Sequence, residues 1–203
     1  MKRFALLITL ALAITIGGVY ATWVYSQSDD VADISGSSTI TMTEATFTGT
    51  YGTYHVDTSN LKMTVDPAVG TTHDTALYID GYVTISFTPN TYAPETVKQG
   101  GVASTYKLAL SNDSWTFDDG NGVQPIMTLN HPDDTHAITW GTPDGEGKLS
   151  FTIDADDLAG HLNLTTFTLD TKALYDAYDT ALTNGQIVIH VSDGKNASTI
   201  VAD

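Results

Sequence analysis

His131, Asp133, Asp134 and His136 lie within NHPDDTHAITW, two imidazoles and two carboxylates inside six positions. Such side chains ligate zinc when their geometry converges. There is no HExxH, so the helical zinc-protease arrangement is missing. Pro132 and the adjoining acids equally suit a turn between strands. Two further groups offer carboxylate oxygens of the kind calcium uses: Asp118, Asp119 and Asn121 in DDGNG, and Asp154, Asp156 and Asp157 in DADD. Neither keeps the twelve-residue spacing of an EF-hand loop with its terminal bidentate Glu. Calcium is therefore the one cofactor these loops suggest, and otherwise no cofactor is expected.

For covalent or acid–base chemistry the chain offers little. No GxSxG surrounds any serine, cysteine is absent, and Glu44, Glu95 and Glu146 are the only glutamates, none beside a partner carboxylate in a recognisable acid/base setting. A non-enzymatic protein is the expectation. Trp115, Trp140 and the tyrosines could stack on sugar rings, although the pattern around both tryptophans places them in a core. Asn112, Asn163 and Asn196 each stand in a glycosylation triplet.

These side chains need elements to position them. Thr, Tyr, Val and Ile are abundant and the turns carry Gly, Asn, Asp and Pro, which favours strands. Leu61 to Val65, Val83 to Phe87 and Leu149 to Ile153 alternate apolar with polar; Ile187 to Val191 keeps the apolar spacing. Further strands are expected at Thr39 to Phe47, Tyr51 to Val56, Tyr106 to Leu110, Ser114 to Phe117, Ala137 to Trp140 and Leu164 to Leu169. The fold class expected is all-β, an antiparallel sandwich. One amphipathic helix breaks it, near residues 170–184, where Leu174, Ala177, Tyr178, Ala181 and Leu182 recur at helical spacing. Asp170 is placed to cap its start and Gly185 its end.

The N-terminal end reads as an export segment. Lys2 and Arg3 precede the apolar run Phe4 to Ile16, then Gly17 and Gly18. The run is shorter than the ~20 residues of a comfortable membrane span. Val19, Tyr20 and Ala21 supply a small-residue site, so residues 1–21 form a signal peptide and the mature chain begins at Thr22. Only the uncleaved segment would touch a membrane. Cleavage removes two basic residues and takes the formal charge from −16 to −18. Six lysines against 24 acids leave no basic face for nucleic acid or anionic lipid. Without cysteine the domain must hold itself by its core, and about 180 residues suffice for one domain, residues 37–203.

Residues 22–36 carry a strand and a tether. Trp23 and Tyr25 alternate with Val24, and SQSDDVADISGSS is polar and flexible. A tethered strand can complete its own sheet or pair with the edge of a neighbour's, and head-to-tail pairing builds filaments. The block GGVYATWVYS is similar to the signal region of the TasA/camelysin family of secreted matrix proteins: Gly17, Gly18, Tyr20 and Ala21 match its Gly-Gly-x-aromatic-Ala pattern. Val19 replaces the family's Thr, Trp23 stands near its Phe, and the first acid comes at Asp29. The resemblance implies a jelly-roll fold, secretion to the cell surface or a biofilm matrix, and self-association into fibres through sheet edges, with Trp23, Val24 and Tyr25 as donor-strand anchors. Camelysin is classed as a metalloprotease, but no motif in this chain receives metal-binding or catalytic residues from it.

Overall fold

The computed structural model describes residues 38–40, 42, 45–49, 51–69, 73–110 and 115–193. With 49% strand and 17% helix, the mostly β, antiparallel class expected from the alternation holds, and one sheet curls into a half-barrel. In chain order come β1 (Ser38–Ile40), β2 (Ala45–Thr48), β3 (Gly52–Asp57), β4 (Leu61–Val69) and β5 (Asp74–Pro89). A short helix, α1 (Glu95–Gly100), precedes β6 (Ser104–Leu110), β7 (Thr116–Asp118), β8 (Val123–Pro125), β9 (Met127–Leu129) and β10 (His136–Ile138). Then β11 (Leu149–Asp154) runs directly into α2 (Ala155–His161) and β12 (Leu162–Leu164), and α3 (Lys172–Leu182) leads to β13 (Ile187–Ser192).

The largest sheet is ordered β1-β4-β5-β3-β2, with β11 also on β5. Strand β5 serves two neighbourhoods: residues up to Gly81 pair with β4, and Tyr82 to Pro89 lie between β3 and β11. The register slips by one residue where Thr58, Ser59 and Asn60 oppose Tyr82 and Val83. Gly81 sits at this slip with φ 86°, a left-handed conformation that glycine adopts without penalty. Alternation then does what period two dictates. Val83, Ile85 and Phe87 are fully buried, while Tyr78, Asp80 and Tyr82 share the outward face.

Two aromatic groups anchor the core. Phe87 packs against Tyr54 and Trp140, with ring centroids 4.7 and 5.8 Å away. The Tyr54 hydroxyl meets Ser104 Oγ at 3.0 Å, tying β3 to β6, and Trp140 Nε1 donates to the Val102 carbonyl at 2.8 Å. In the second group Phe117 stands edge-on to Phe167 and Tyr178. Burial pushes the Tyr178 phenol well above its ordinary pKa. Among the described residues no well-formed hydrogen bond reaches its hydroxyl; the neighbouring polar group is Thr75, whose own hydroxyl donates to the Thr165 carbonyl and accepts from the Phe167 amide, and which moderates the upward shift. A buried unsatisfied hydroxyl is a liability, so Tyr178→Phe is expected to hold or raise stability, by up to about 1 kcal/mol. Urea unfolding checks this, and a clear loss of stability would expose a partner for the hydroxyl.

Several local expectations are corrected. Thr39 to Phe47 is not one strand: β1 pairs with β4 and β2 with β3, on different strands of the sheet. Leu164 to Leu169 is not one either, since β12 ends at Leu164 and the following chain instead hydrogen-bonds around Thr75 and His73. Helix α3 is the amphipathic helix, but Thr171 caps it, its hydroxyl accepting from the Leu174 amide, so Asp170 lies one residue outside. Its buried face is Tyr175, Tyr178 and Leu182, and Ala177 is exposed. Gly185 does not terminate it in a left-handed turn. The helix ends at Thr183 in the right-handed region, and Gly185 is small because the Trp115 indole lies on it, 2.0 Å from where a Cβ would stand. Helices α1 and α2 carry no long apolar stripe and were not expected.

Candidate functional site

Strand β6 is the middle of a three-stranded sheet ordered β10-β6-β13. On one edge β13 pairs with it from Thr105 to Leu110; on the other, β10 reaches only Ser104 to Tyr106. Lys107 to Leu110 therefore present an edge that no described strand covers. Among the described strands β9 pairs only with β12, along one edge. Between these two bare edges lies a groove of about 540 Å³, lined by Leu108, Leu110, Trp115, Met127 and Leu129, with Lys107 and Asp133 its charged groups. The volume falls in the range of ligand clefts, roughly 300–1,000 Å³.

Why the chain leaves this opening follows from the residues around it. Pro132 and Asp133 on the loop ahead of β10 line the groove and interrupt the continuation of that strand along β6. Trp115 is held on the other side by its contact with Gly185, and its Nε1 is buried with no partner among the described residues. Most of the groove's lining side chains are apolar, and residues of both β6 and β9 contribute to it. That arrangement receives an extended segment through main-chain hydrogen bonds and pockets for alternate side chains. The edges of β1 and β2 away from β4 and β3 are likewise unpaired among the described strands.

The candidates read from the sequence separate. His131 and Asp134 are exposed and 4.0 Å apart on the loop before β10. Asp133 lines the groove instead. His136 is on β10, its ring 5.1 Å from Tyr106 and 4.4 Å from His161. Burial holds the His161 imidazole below its ordinary pKa, helped by His136 and, less, His131; Asp157 and Asp134 oppose the shift. Burial likewise raises the Tyr106 phenol, with a smaller push from Asp157. Among the described residues no three such groups already converge as a metal site.

The acid clusters serve the backbone. Asp118 and Asp119 accept from the amides of Gly120 and Asn121 in the β7–β8 hairpin, and Asp154 caps α2 by accepting from the Asp157 amide. Asn163 is exposed on β12, while Asn112 and Asn196 lie outside the described residues. Gly17, Gly18, Tyr20, Ala21, Trp23, Val24 and Tyr25 lie outside them too. Trp115 is buried and Trp140 partly so, as packing residues. No helix of the described residues is long and apolar enough to cross a membrane. Two features were not read from the sequence. The groove has no linear signal, since it depends on where β10 and β9 end. His161 had one: Asp154 three residues before Asp157 opens a helical turn that places Asp157 and His161 at i, i+4.

Compared with family models, characterised proteins and solved structures, the chain matches none. The likeness of GGVYATWVYS to the TasA/camelysin signal region stands on that block alone.

Proposed function

We propose that the protein is a secreted, non-enzymatic subunit of an extracellular or biofilm-matrix filament. Its sheets would form the two layers of a jelly-roll-like sandwich, and subunits would join when the N-terminal strand of one enters the groove of the next. The observation that carries this reading is the groove itself, lined mostly by apolar side chains and flanked by the bare edges of β6 and β9. Trp23, Val24 and Tyr25 supply the complementary element: an alternating aromatic and aliphatic strand on a polar tether. Such pairing is head-to-tail and does not close, so it propagates.

The absence of cysteine makes the test direct. A copy carrying Val24→Cys is mixed with one carrying Ala109→Cys, beginning both at Thr22, and oxidised. Disulfide-linked heterodimers are expected, together with filaments under negative stain from the unsubstituted chain and none after deletion of Thr22 to Ser28. Filaments that persist after the deletion would sink the donor-strand reading.

Tyr78 and Tyr82 favour a second reading. Both are exposed, at 53% and 41%, and they flank Asp80 on the outward face of β5. Aromatic rings four residues apart on a strand, about 13 Å, can stack on separate sugar rings of one glycan. A chain that stays monomeric at every concentration and binds an oligosaccharide saturably, with loss on Tyr78→Ala, would favour a glycan-binding module.

A further inference from the structure

We propose that the imidazoles of His136 and His161 form a pH-sensitive clamp that holds the two walls of the groove together while both rings are neutral and releases them when both are charged. The two residues are far apart in sequence, yet their ring centroids lie 4.4 Å apart. Each belongs to a different wall. His136 forms the last pair of β10 with β6, opposite Tyr106, and the bare edge of β6 begins one residue on, at Lys107. Its ring packs on that of Tyr106, 5.1 Å away. His161 ends α2, and the next residue, Leu162, pairs with Leu129 at the end of β9. Asn130 fastens it there: its amide donates to the His161 carbonyl at 2.9 Å and its side chain to the Gly160 carbonyl at 3.0 Å.

The ring contact thus bridges the walls at one end of the groove. The chain that joins them, residues 130–135, is a loop without strand or helix to fix their spacing, and its Pro132 and Asp133 line the groove. Both histidines are half-buried. Two neutral imidazoles can pack at this distance, whereas two imidazolium rings carry like charges that water screens only in part. The charges that reach His161 are, in falling order, those of His136, of Asp157 on its own helix, and of Asp134 and His131 on the loop before β10; Tyr106 faces His136 from β6. The two carboxylates favour a proton on His161, but burial and His136 outweigh them and hold the imidazole below its ordinary pKa. In mild acid the closed clamp therefore binds fewer protons than the open one. It is favoured above the ordinary histidine pKa of about 6.5 and is penalised progressively as the pH falls below that value.

The consequence for assembly rests on the reading of the groove as the receptor of the donor strand; the clamp itself does not. A strand that pairs with both β6 and β9 needs the two edges at a fixed spacing. Release of the clamp removes one of its two ladders, so filaments come apart in acid.

Spin labels on Ala137→Cys in β10 and Asn163→Cys in β12, both exposed positions, read the separation of the walls in the full chain, which has no cysteine of its own. The distance is expected to lengthen between about pH 8 and about pH 5, through the range in which histidine takes up its proton. Its midpoint should follow the ring resonances of His161 in the wild type and lie below about 6.5. In a labelled H136Q/H161Q variant, whose side chains stay uncharged, the distance should not change. Filaments formed at the higher pH should be lost at the lower one, and those of the double variant should persist. Melting at the higher pH reports whether the double variant folds, and His161→Gln alone is the second variant. A wild-type distance that stays constant on acidification would overturn the clamp, as would the same lengthening in a folded variant. A distance that lengthens in a chain that forms filaments at no pH would uphold the clamp and overturn the donor-strand reading instead.

Discussion

Phe87→Ala is expected to lower the unfolding free energy by about 4 kcal/mol. Phe87 is fully buried at the centre of the largest sheet, opposite Tyr54 on β3 and Leu149 on β11. Its ring touches Tyr54 and Trp140 at offset, tilted geometries, which aromatic pairs favour. Gly52 leaves room for both backbone and ring, since a Cβ there would collide first with the Thr88 carbonyl oxygen and then with the Phe87 ring, 2.6 Å away. Truncation therefore removes the transfer energy of the ring and leaves a cavity walled by strands that cannot collapse into it. Phe87→Leu should cost far less, about 1 kcal/mol, because it keeps most of the volume. Urea unfolding of both variants checks this. Equal losses would show that the site depends on the aromatic contacts and not on the filled space.

Gly81→Ala is expected to cost about 3 kcal/mol, although it adds one methyl group at a position that is not fully buried. Two effects combine. The left-handed φ of 86° is unfavourable for any residue with a Cβ, and that Cβ would lie 1.9 Å from the Asn60 carbonyl oxygen. The obstacle is backbone, so no side-chain rotation relieves it. Asn60 is also held in place, its carbonyl accepting from the Tyr82 amide at 3.3 Å beside the bond from the Leu61 amide to the Thr58 carbonyl. Relief requires opening the slip in register at which β5 passes from β4 to β3 and β11. Gly145→Ala is the control: nothing lies within 4 Å of its Cβ position, and its stability should not change measurably. A Gly81 variant as stable as this control would mean that the register slip relaxes freely.

The two sites differ in how they could be found. Phe87 is one of three alternating apolar residues in VTISF, and that spacing alone marks it for the interior. Gly81 sits in DGY with nothing beside it to distinguish a hairpin turn from a bulge within a strand. The same division runs through the proposed sites. The proposed donor strand is legible because Trp23, Val24 and Tyr25 alternate beside the expected cleavage site. The groove that would receive it is not, because it exists only where β10 stops short on β6 and β9 faces it.

By itself the sequence determined the mostly β class, the strands at Leu61, Val83, Leu149 and Ile187, the one long amphipathic helix and the burial of Trp115. All follow from periodicity and local propensity, which act over a few residues. Tertiary structure alone decided which strands pair, that Thr171 rather than Asp170 caps α3, and that Gly185 yields space to Trp115. It alone brought His136 to His161. The physical reason is that pairing and close approach are set by which distant surfaces bury one another, and no short window of residues contains both partners.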